Sequence, residues 1–248
     1  MVRVLTLGLT LCACSAATQS TPMPDARAAA HDGPAGGAPR VLFVGNSLTS
    51  VNDVPGSVRA LAAAAGAPLT VDAVTLDGAS LGDHLVDGTA TRRLSSERWD
   101  FVVLQQGPSS RPDSRVALRA DTASFAALDQ AAGARTALYM VWAIQSEPEW
   151  FDSVRDSYRL AAEDVGGIFL PAGEAWRAAW RIDPSLALYS ADGLHPTPAG
   201  SYAAALVIAA GLTGRSPIGL PTLGIDAGVA ATLQSAAAET IATFPIGP

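Results

Sequence analysis

Short apolar runs alternate with longer alanine-rich or amphipathic segments along most of the chain. A short apolar run bounded by Gly or Pro is typical of a strand that is buried on both faces of a parallel sheet. The predicted strands are Arg40–Gly45, Leu69–Leu76, Phe101–Leu104, Thr136–Trp142 and Ile168–Leu170.

The segments between these runs predict helices, because Pro stands near several of their starts and Gly near several of their ends. Gly82 and Gly88 weaken the second of them. Strands that alternate with helices form right-handed crossover units, so the predicted fold class is α/β, with a five-stranded parallel sheet covered on both faces. The predicted helices are Pro55–Gly66, Ser80–Leu94, Ser114–Ala132, Trp150–Val165, Glu174–Arg181, Pro198–Leu212 and Ala227–Thr243.

Composition and charge restrict the class of protein. The 248 residues are 49% hydrophobic and 16% charged, which is too apolar for a disordered chain. The net charge is −7, and every basic residue is Arg. Affinity for nucleic acid depends on clustered basic side chains that neutralise phosphates. An acidic chain without such a cluster argues against a nucleic-acid partner.

The first residues have the pattern of an export signal. Met1–Arg3 carries a positive charge, and the apolar run Val4–Ala13 has ten residues, where a membrane-spanning helix needs about 20. The sequence LCAC that ends at Cys14 resembles the bacterial lipoprotein box, whose Cys is lipidated. We interpret residues 1–13 as a lipoprotein-type signal peptide and Cys14 as the lipidation site, so any membrane contact is through this anchor. Secretion after cleavage near residues 14–17 and a wrongly assigned start are the alternatives.

Residues 14–38 are rich in Ala, Pro, Gly, Ser and Thr. Such a segment buries too little apolar surface to offset its ordering entropy. We therefore predict a flexible linker, with His31 exposed in it, between the cell envelope and a domain at residues 39–248. Both cysteines precede residue 15, so the domain has neither a disulfide nor a Cys nucleophile.

Two polar clusters lie where catalytic residues are expected. Ser47 follows the first strand, at the carboxyl edge of the sheet where ligands of such folds bind; a plain Gly-Asn-Ser turn is the alternative. Asp192 and His195 lie in a turn that leads into the helix at Pro198. A turn of this length lets the Asp carboxylate reach one ring nitrogen and leaves the other free as a base.

Asp192 and His195 have two other interpretations, an Asx-turn with a surface His or a pair of metal ligands. A metal is disfavoured, because no other His lies in a plausible strand-end loop and two ligands are too few. We predict no metal site.

Gly-Asn-Ser-Leu after the first strand, together with Asp-x-x-His before the last long helix but one, resembles the SGNH or GDSL hydrolase superfamily. The resemblance covers Arg40 to Leu212. It implies a flavodoxin-like three-layer α/β/α sandwich and a catalytic triad of Ser47, Asp192 and His195. It also implies a carboxylic ester hydrolase that needs no cofactor.

The resemblance further implies an oxyanion hole with three donors. Two are the backbone N–H groups of Ser47 and Gly78, and the third is a side-chain amide after the third strand. The sequence there, QQGPSS from Gln105, departs from the Gly-x-Asn-Asp pattern of the family. It is closer to the Gln-Gly loop of SGNH carbohydrate esterases, which favours Gln106 as the donor. Ser109 is the second choice, if the Gly is matched instead.

Several other residues have competing interpretations. Ser80 lies in a Gly-x-Ser-x-Gly sequence, but only one strand precedes that sequence, whereas several precede the nucleophile elbow of α/β-hydrolases. His84 is expected on the surface. The segment that follows the fourth strand lines a substrate cleft in one interpretation, and in the other Trp142 belongs to the core. The residues in question are Trp142, Glu147, Glu149 and Trp150.

The resemblance implies hydrolysis of an ester through an acyl-enzyme. An envelope location and the Gln-Gly loop favour a short acyl group such as acetyl, carried on a small-molecule or glycan partner. A lipase or lysophospholipase, and a non-catalytic glycan-binding module on the same fold, are the alternatives. The sequence indicates no particular oligomeric state.

Overall fold

Five parallel strands form a single sheet in the computed structural model, which describes residues 1–2 and 37–244. The strands are β1 (Arg40–Gly45), β2 (Thr70–Thr75), β3 (Phe101–Leu104), β4 (Arg135–Tyr139) and β5 (Ile168–Leu170). Their order is β2-β1-β3-β4-β5, and β1 pairs in parallel with both neighbours, so that Val41 lies between Val71 and Phe101. The predicted signal peptide with Cys14, and nearly all of the predicted linker with His31, lie outside the described residues.

Helices cover both faces of the sheet. The described residues form α1 (Ser47–Ser50), α2 (Val54–Ala64), α3 (Leu81–Asp87), α4 (Thr89–Ser96), α5 (Pro112–Ala131), α6 (Phe151–Asp164), α7 (Ala172–Ile182), α8 (Pro198–Thr213) and α9 (Ala227–Thr243). One layer contains α2, α7, α8 and α9, and the other contains α3, α4, α5 and α6. The first four residues of β1 after Arg40 are fully buried, as expected for a central strand between two helical layers.

The predicted α/β fold with a five-stranded parallel sheet between helical layers is confirmed. The element boundaries differ from prediction by a few residues, with one larger difference. The single helix predicted over Ser80–Leu94 is two helices, α3 and α4, because Gly88 between them adopts the left-handed conformation with φ +75°. Such a residue ends a helix, and Gly adopts it without a steric penalty.

Helix α8 is apolar nearly all round and buried, and its N-terminus supports the segment that carries His195. Thr197 is its N-cap, with the Thr197 Oγ1 accepting from the Gly200 N–H at 3.2 Å. Within residues 1–2 and 37–244, none of the helices combines the length and apolar character needed to cross a membrane.

A buried carboxyl group lies near the edge of the sheet opposite to the Ser47 end of β1. Asp129, near the end of α5, is fully buried, and its Oδ2 accepts from Thr136 Oγ1 at 2.6 Å. Its Oδ1 has no hydrogen-bond partner in the described part of the chain. Burial raises the pKa of Asp129 to about 7, against the smaller opposing effect of the Thr136 hydrogen bond.

This carboxyl makes the stability depend on pH. An Asp in the unfolded chain ionises at about pH 4, so between about pH 4 and 7 only the folded protein keeps the proton, and stability falls as the pH rises. Asp129→Asn removes this titration. We expect the variant to exceed the wild type by roughly 2–4 kcal/mol at pH 8 and to equal it near pH 4. Urea unfolding at both pH values measures the difference, with Asp113→Asn on the exposed start of α5 as the control.

Candidate active site

The turn after β1 places Ser47 at the carboxyl edge of the sheet. Asn46 caps α1, with its Oδ1 accepting from the Leu48 N–H at 3.0 Å, so Ser47 is the first helical residue. Gly45 is required by close approach, because a Cβ atom there would lie 2.5 Å from Thr49 Oγ1 and 2.6 Å from Gln105 Oε1. Ser47 itself is half-buried, with its side chain accessible from the edge.

Asp192 and His195 lie together in the loop before α8. The Asp192 Oδ1 accepts from the N–H groups of Leu194 and His195 at 3.0 and 2.9 Å, and its Oδ2 lies 2.5 Å from His195 Nδ1. The loop is closed by a bond from the Ser190 N–H to the His195 carbonyl at 2.8 Å. This turn therefore holds the carboxylate against the imidazole.

His195 also contacts Ser47 across the edge of the sheet. Its Nε2 lies 2.9 Å from Ser47 Oγ, so Asp192, His195 and Ser47 form one hydrogen-bonded chain. An Nδ1–H directed at the carboxylate leaves Nε2 as the acceptor facing the serine. The hydrogen bonds from the Leu194 N–H, the His195 ring and the His195 N–H lower the pKa of Asp192 to about 2. The carboxylate thus stays ionised at neutral pH.

A pocket of about 350 Å³ lies beside Ser47. Gly78 lies in its wall with φ +70°, a conformation that favours glycine. In the described chain, the N–H groups of Ser47 and Gly78 make no hydrogen bond, so both can serve a ligand. The lining residues are Asn46, Ser47, Leu48, Gly78, Ala79, Ser80, Gln106, Gly107, Pro108, Ser109, Ser114 and Leu194.

Gln106 and Ser109 both line this pocket and contact each other. The Leu81 N–H donates to Gln106 Oε1 at 2.9 Å, and Gln106 Nε2 donates to Ser109 Oγ at 2.8 Å. The first bond orients the amide, so its NH₂ group is the end left for the pocket. An NH₂ group carries two donors. One of them remains for a ligand. Gln106 and Ser109, the two residues predicted as the third oxyanion donor, therefore both lie at the site.

No protein-family model matches the chain, and no curated protein is similar to it at a significant level. Among solved structures, a protein of Slackia heliotrinireducens classed as an SGNH hydrolase is 32% identical, with a TM-score of 0.58. The match covers 70% of this chain and 98% of that protein.

The chain belongs to the SGNH/GDSL hydrolase superfamily. It is an enzyme of that class. Two more distant structures share the fold. A DUF4886 family protein from Bacteroides uniformis has a TM-score of 0.72 at 23% identity, covering 82% of this chain and 95% of that one. A variant of Axe2, an acetyl-xylooligosaccharide esterase from Geobacillus, has a TM-score of 0.53 at 16% identity, covering 77% and 96%.

In this SGNH hydrolase, Ser80 is the N-cap of α3, whereas Ser47 is the serine that contacts His195. Ser80 caps α3, with its Oγ accepting from the Asp83 N–H at 3.2 Å and donating to Asp83 Oδ2 at 2.7 Å. The His195 imidazole instead lies against Ser47, with its Nε2 2.9 Å from Ser47 Oγ. Gly82 lies close to α5, where a Cβ atom would meet the Asp121 carboxylate at 3.0 Å.

The prediction that His84 lies on the surface is wrong. Its side chain is fully buried, and its Nε2 lies 2.8 Å from the Gly45 carbonyl oxygen. The ring fills the space between α3 and the end of β1, where the buried Gly45 carbonyl also accepts from the Leu76 N–H at 3.1 Å. Leu81 is also buried, three residues earlier on the same helical face. That spacing is the sequence signal for a buried His84.

Trp142 belongs to the core, as in the second of its two interpretations. It is fully buried, stacks on Trp176 with ring centroids 3.7 Å apart, and donates from Nε1 to the Leu194 carbonyl at 2.8 Å. Trp142 therefore supports the loop that carries His195 from the core side. Trp150 and Glu147 lie outside the pocket lining, where Arg111 packs over Trp150 at 4.0 Å and pairs with Glu147 at 2.9 Å. Glu149 is exposed.

Asn52 makes a contact that the sequence analysis missed. It has φ +57°, and its Nδ2 donates to the Pro196 carbonyl at 3.1 Å and to Ser201 Oγ at 3.0 Å. Asn52 therefore links the segment after Ser47 to the residue that follows His195. An Asn directly before an Asp and three residues before a Pro is typical of a turn, and no local pattern indicates this partner.

Proposed function

We propose that this SGNH hydrolase is a serine esterase in which Ser47 is the nucleophile, His195 the general base and Asp192 the group that orients the imidazole. The observation that carries the proposal is the hydrogen-bonded chain from Asp192 Oδ2 through both His195 nitrogens to Ser47 Oγ, with spacings of 2.5 and 2.9 Å. Spacings of this size suit proton transfer between a nucleophile and its base.

The proposed reaction has two halves. Ser47 Oγ attacks the ester carbonyl carbon while His195 Nε2 takes its proton, and the oxyanion forms as the C=O bond becomes single. The C–O bond to the alcohol then breaks, and the imidazolium gives its proton to the departing oxygen. Water attacks the acyl-enzyme in the same way, with His195 as base, and releases the acid and free Ser47.

The oxyanion binds to the N–H groups of Ser47 and Gly78 and to the Gln106 amide in this proposal. The two N–H groups have no competing acceptor within residues 37–244, and the Gln106 amide is oriented by the Leu81 N–H. Donors fixed before the reaction stabilise charge that develops in the transition state, each by about 3 kcal/mol in comparable sites. Ser109 remains the alternative third donor.

A short acyl group on a carbohydrate is the substrate that fits best. The pocket of about 350 Å³ lies near the lower end of the range for ligand sites. The side chains of His195 and Asp192 are 32% and 51% exposed, which leaves room for a bulky alcohol on the solvent side. The fold shared with an acetyl-xylooligosaccharide esterase supports the same class.

A chain-length series tests the proposed substrate. The rates on p-nitrophenyl acetate, butyrate and octanoate are compared, followed by acetate release from acetylated xylo-oligosaccharides. We expect acetate to be the best of the three aryl esters and the acetylated sugar to be deacetylated. A preference for octanoate would favour the lipase-type alternative, and no hydrolysis above the blank would favour a non-catalytic glycan-binding module.

The pH profile tests the assigned base. Imidazoles titrate between about pH 5 and 8, and a histidine base must be neutral to accept a proton. Asp192, with its pKa lowered to about 2, keeps its charge throughout this interval. We therefore expect kcat/KM to fall as the pH is lowered from 8 to 5, with a single inflection. A flat profile from pH 5 to 9 would contradict a histidine base.

A further inference from the structure

The side-chain amide of Gln105 lies beneath the turn that carries Ser47. Gln105 follows β3, is fully buried, and neighbours Gln106 in the only Gln-Gln pair of the chain. The two side chains have different environments, since Gln106 lines the pocket and Gln105 does not. A buried amide of this kind needs partners for its two acceptor and two donor positions.

All of these positions are used. Gln105 Oε1 accepts from the Asn46 N–H at 2.9 Å and from Thr49 Oγ1 at 2.7 Å. Gln105 Nε2 donates to Asn46 Oδ1 at 3.0 Å and to the Gln106 carbonyl at 2.5 Å. The Gln105 amide thus bonds to Asn46 in the turn that carries Ser47 and to Gln106 in the loop after β3.

Asn46 extends this network to the third part of the site. Its Nδ2 donates to the Ala79 carbonyl at 2.9 Å, next to Gly78. The buried side-chain amides of Gln105 and Asn46 therefore bond to three backbone groups of the site. These are the N–H of Asn46, which precedes Ser47, the carbonyl of Ala79, which follows Gly78, and the carbonyl of Gln106. They lie in the three segments that carry the oxyanion donors of the proposed function.

We propose that Gln105 is a positioning residue that sets the relative positions of the three oxyanion donors. This inference rests on the proposed function, because it concerns the geometry of that same hole. Donors on three separate loops must lie within a few tenths of an ångström of their places, and displacement of about 1 Å can cost about 100-fold in rate. A fully satisfied buried network provides such rigidity.

Gln105→Glu is the variant that separates the two ends of the amide. A carboxylate of the same shape still accepts from the Asn46 N–H and the Thr49 hydroxyl. When ionised, this group cannot donate to Asn46 Oδ1 or to the Gln106 carbonyl and places its charge against both oxygens, and when protonated it has one donor for the two oxygens. We expect kcat on p-nitrophenyl acetate to fall by about 30- to 100-fold, with KM changed by less than about threefold, because the donors act on transition-state charge.

Thr49→Val is the matched control. It removes one bond to the same amide, at the acceptor end, and leaves the bonds to Asn46 and Gln106 in place. We expect kcat within about threefold of the wild type, even where the melting temperature falls. Circular dichroism at the assay temperature shows whether each variant is folded. If Gln105→Glu does not fold, Asn46→Asp tests the network through its bond to Ala79, with the same expected loss in kcat.

A double-mutant cycle provides the readout that a general loss of stability would not move. If Gln105 acts through the oxyanion donors, Gln105→Glu should cost much less in a Gln106→Ala background than in the wild type. Three results would overturn the inference. The losses in kcat of the two variants could multiply fully, Gln105→Glu could lose no more kcat than Thr49→Val, or the change could be confined to KM.

Ser47→Ala in the same assay tells two failures apart. If Ser47→Ala is inactive but Gln105→Glu keeps normal kcat, only the positioning role is wrong. If Ser47→Ala keeps its activity, the proposed function is wrong, and the role of Gln105 falls with it.

Discussion

Replacing Ser47 with Ala should lower kcat by about 10⁵-fold or more, leaving only the residual catalysis of the binding site. Ser47 Oγ lies 2.9 Å from His195 Nε2, and the imidazole has no other hydroxyl partner among the described residues. Without the hydroxyl no acyl-enzyme can form. The measurement is steady-state hydrolysis of p-nitrophenyl acetate, with removal of trace contamination confirmed by an independent preparation.

Ser80→Ala is the control for this experiment, because it lies in the competing Gly-x-Ser-x-Gly sequence. It removes the cap of α3 and should lower stability by about 1 kcal/mol while leaving most of the activity. A serine-directed phosphonate should label Ser47, as shown by mass spectrometry of the tryptic peptides. Finding the label on Ser80 would reverse the assignment.

Replacing Gln106 with Ala should lower kcat by about 10²- to 10³-fold, with a smaller change in KM. The amide is oriented by the Leu81 N–H at 2.9 Å and directs its NH₂ group toward the pocket. Its donor acts on the charge of the tetrahedral intermediate, so the ground-state complex is affected much less. Initial rates over a range of substrate concentrations separate kcat from KM.

Two further variants exclude a purely structural role for Gln106. Gln106→Glu keeps an oxygen for the Leu81 N–H but removes the donor, so it should be as impaired as the alanine variant. Ser109→Ala removes the partner of Gln106 Nε2 and should cost much less. A large loss for Ser109→Ala beside near-normal Gln106→Ala would make Ser109 the third donor instead.

The fold was predictable because each strand is a local apolar run and the layers follow from their alternation with helices. Residues 41–44 of β1 are fully buried, which is the environment that a continuous apolar run indicates. The break between α3 and α4 was harder to predict from the sequence. Gly88 was visible as a weak point, but whether a glycine ends a helix or is tolerated depends on the packing around it.

Ser47, Asp192 and His195 were predictable as candidates because their motifs are short and lie at the ends of predicted elements. The contacts of the residues around them were not predictable, because the hydrogen-bond partners are distant in sequence. Asn52 reaches a carbonyl 144 residues away, and Gln105 bonds to a turn 59 residues earlier. His84 looked like a surface residue because, within the described residues, its side chain has one hydrogen-bond partner, the carbonyl of Gly45, which lies 39 positions earlier.

Ser47 and His195 stand 148 positions apart in the described domain, with α8 and α9 still to follow His195. Hydrolysis therefore requires that the end of β1 and the start of α8 have come together, which closes most of the described domain into one loop. Closing so long a loop is slow compared with forming helices. During refolding, enzyme activity should therefore return after the helical circular dichroism signal. The recovery of activity then indicates that the domain has finished folding.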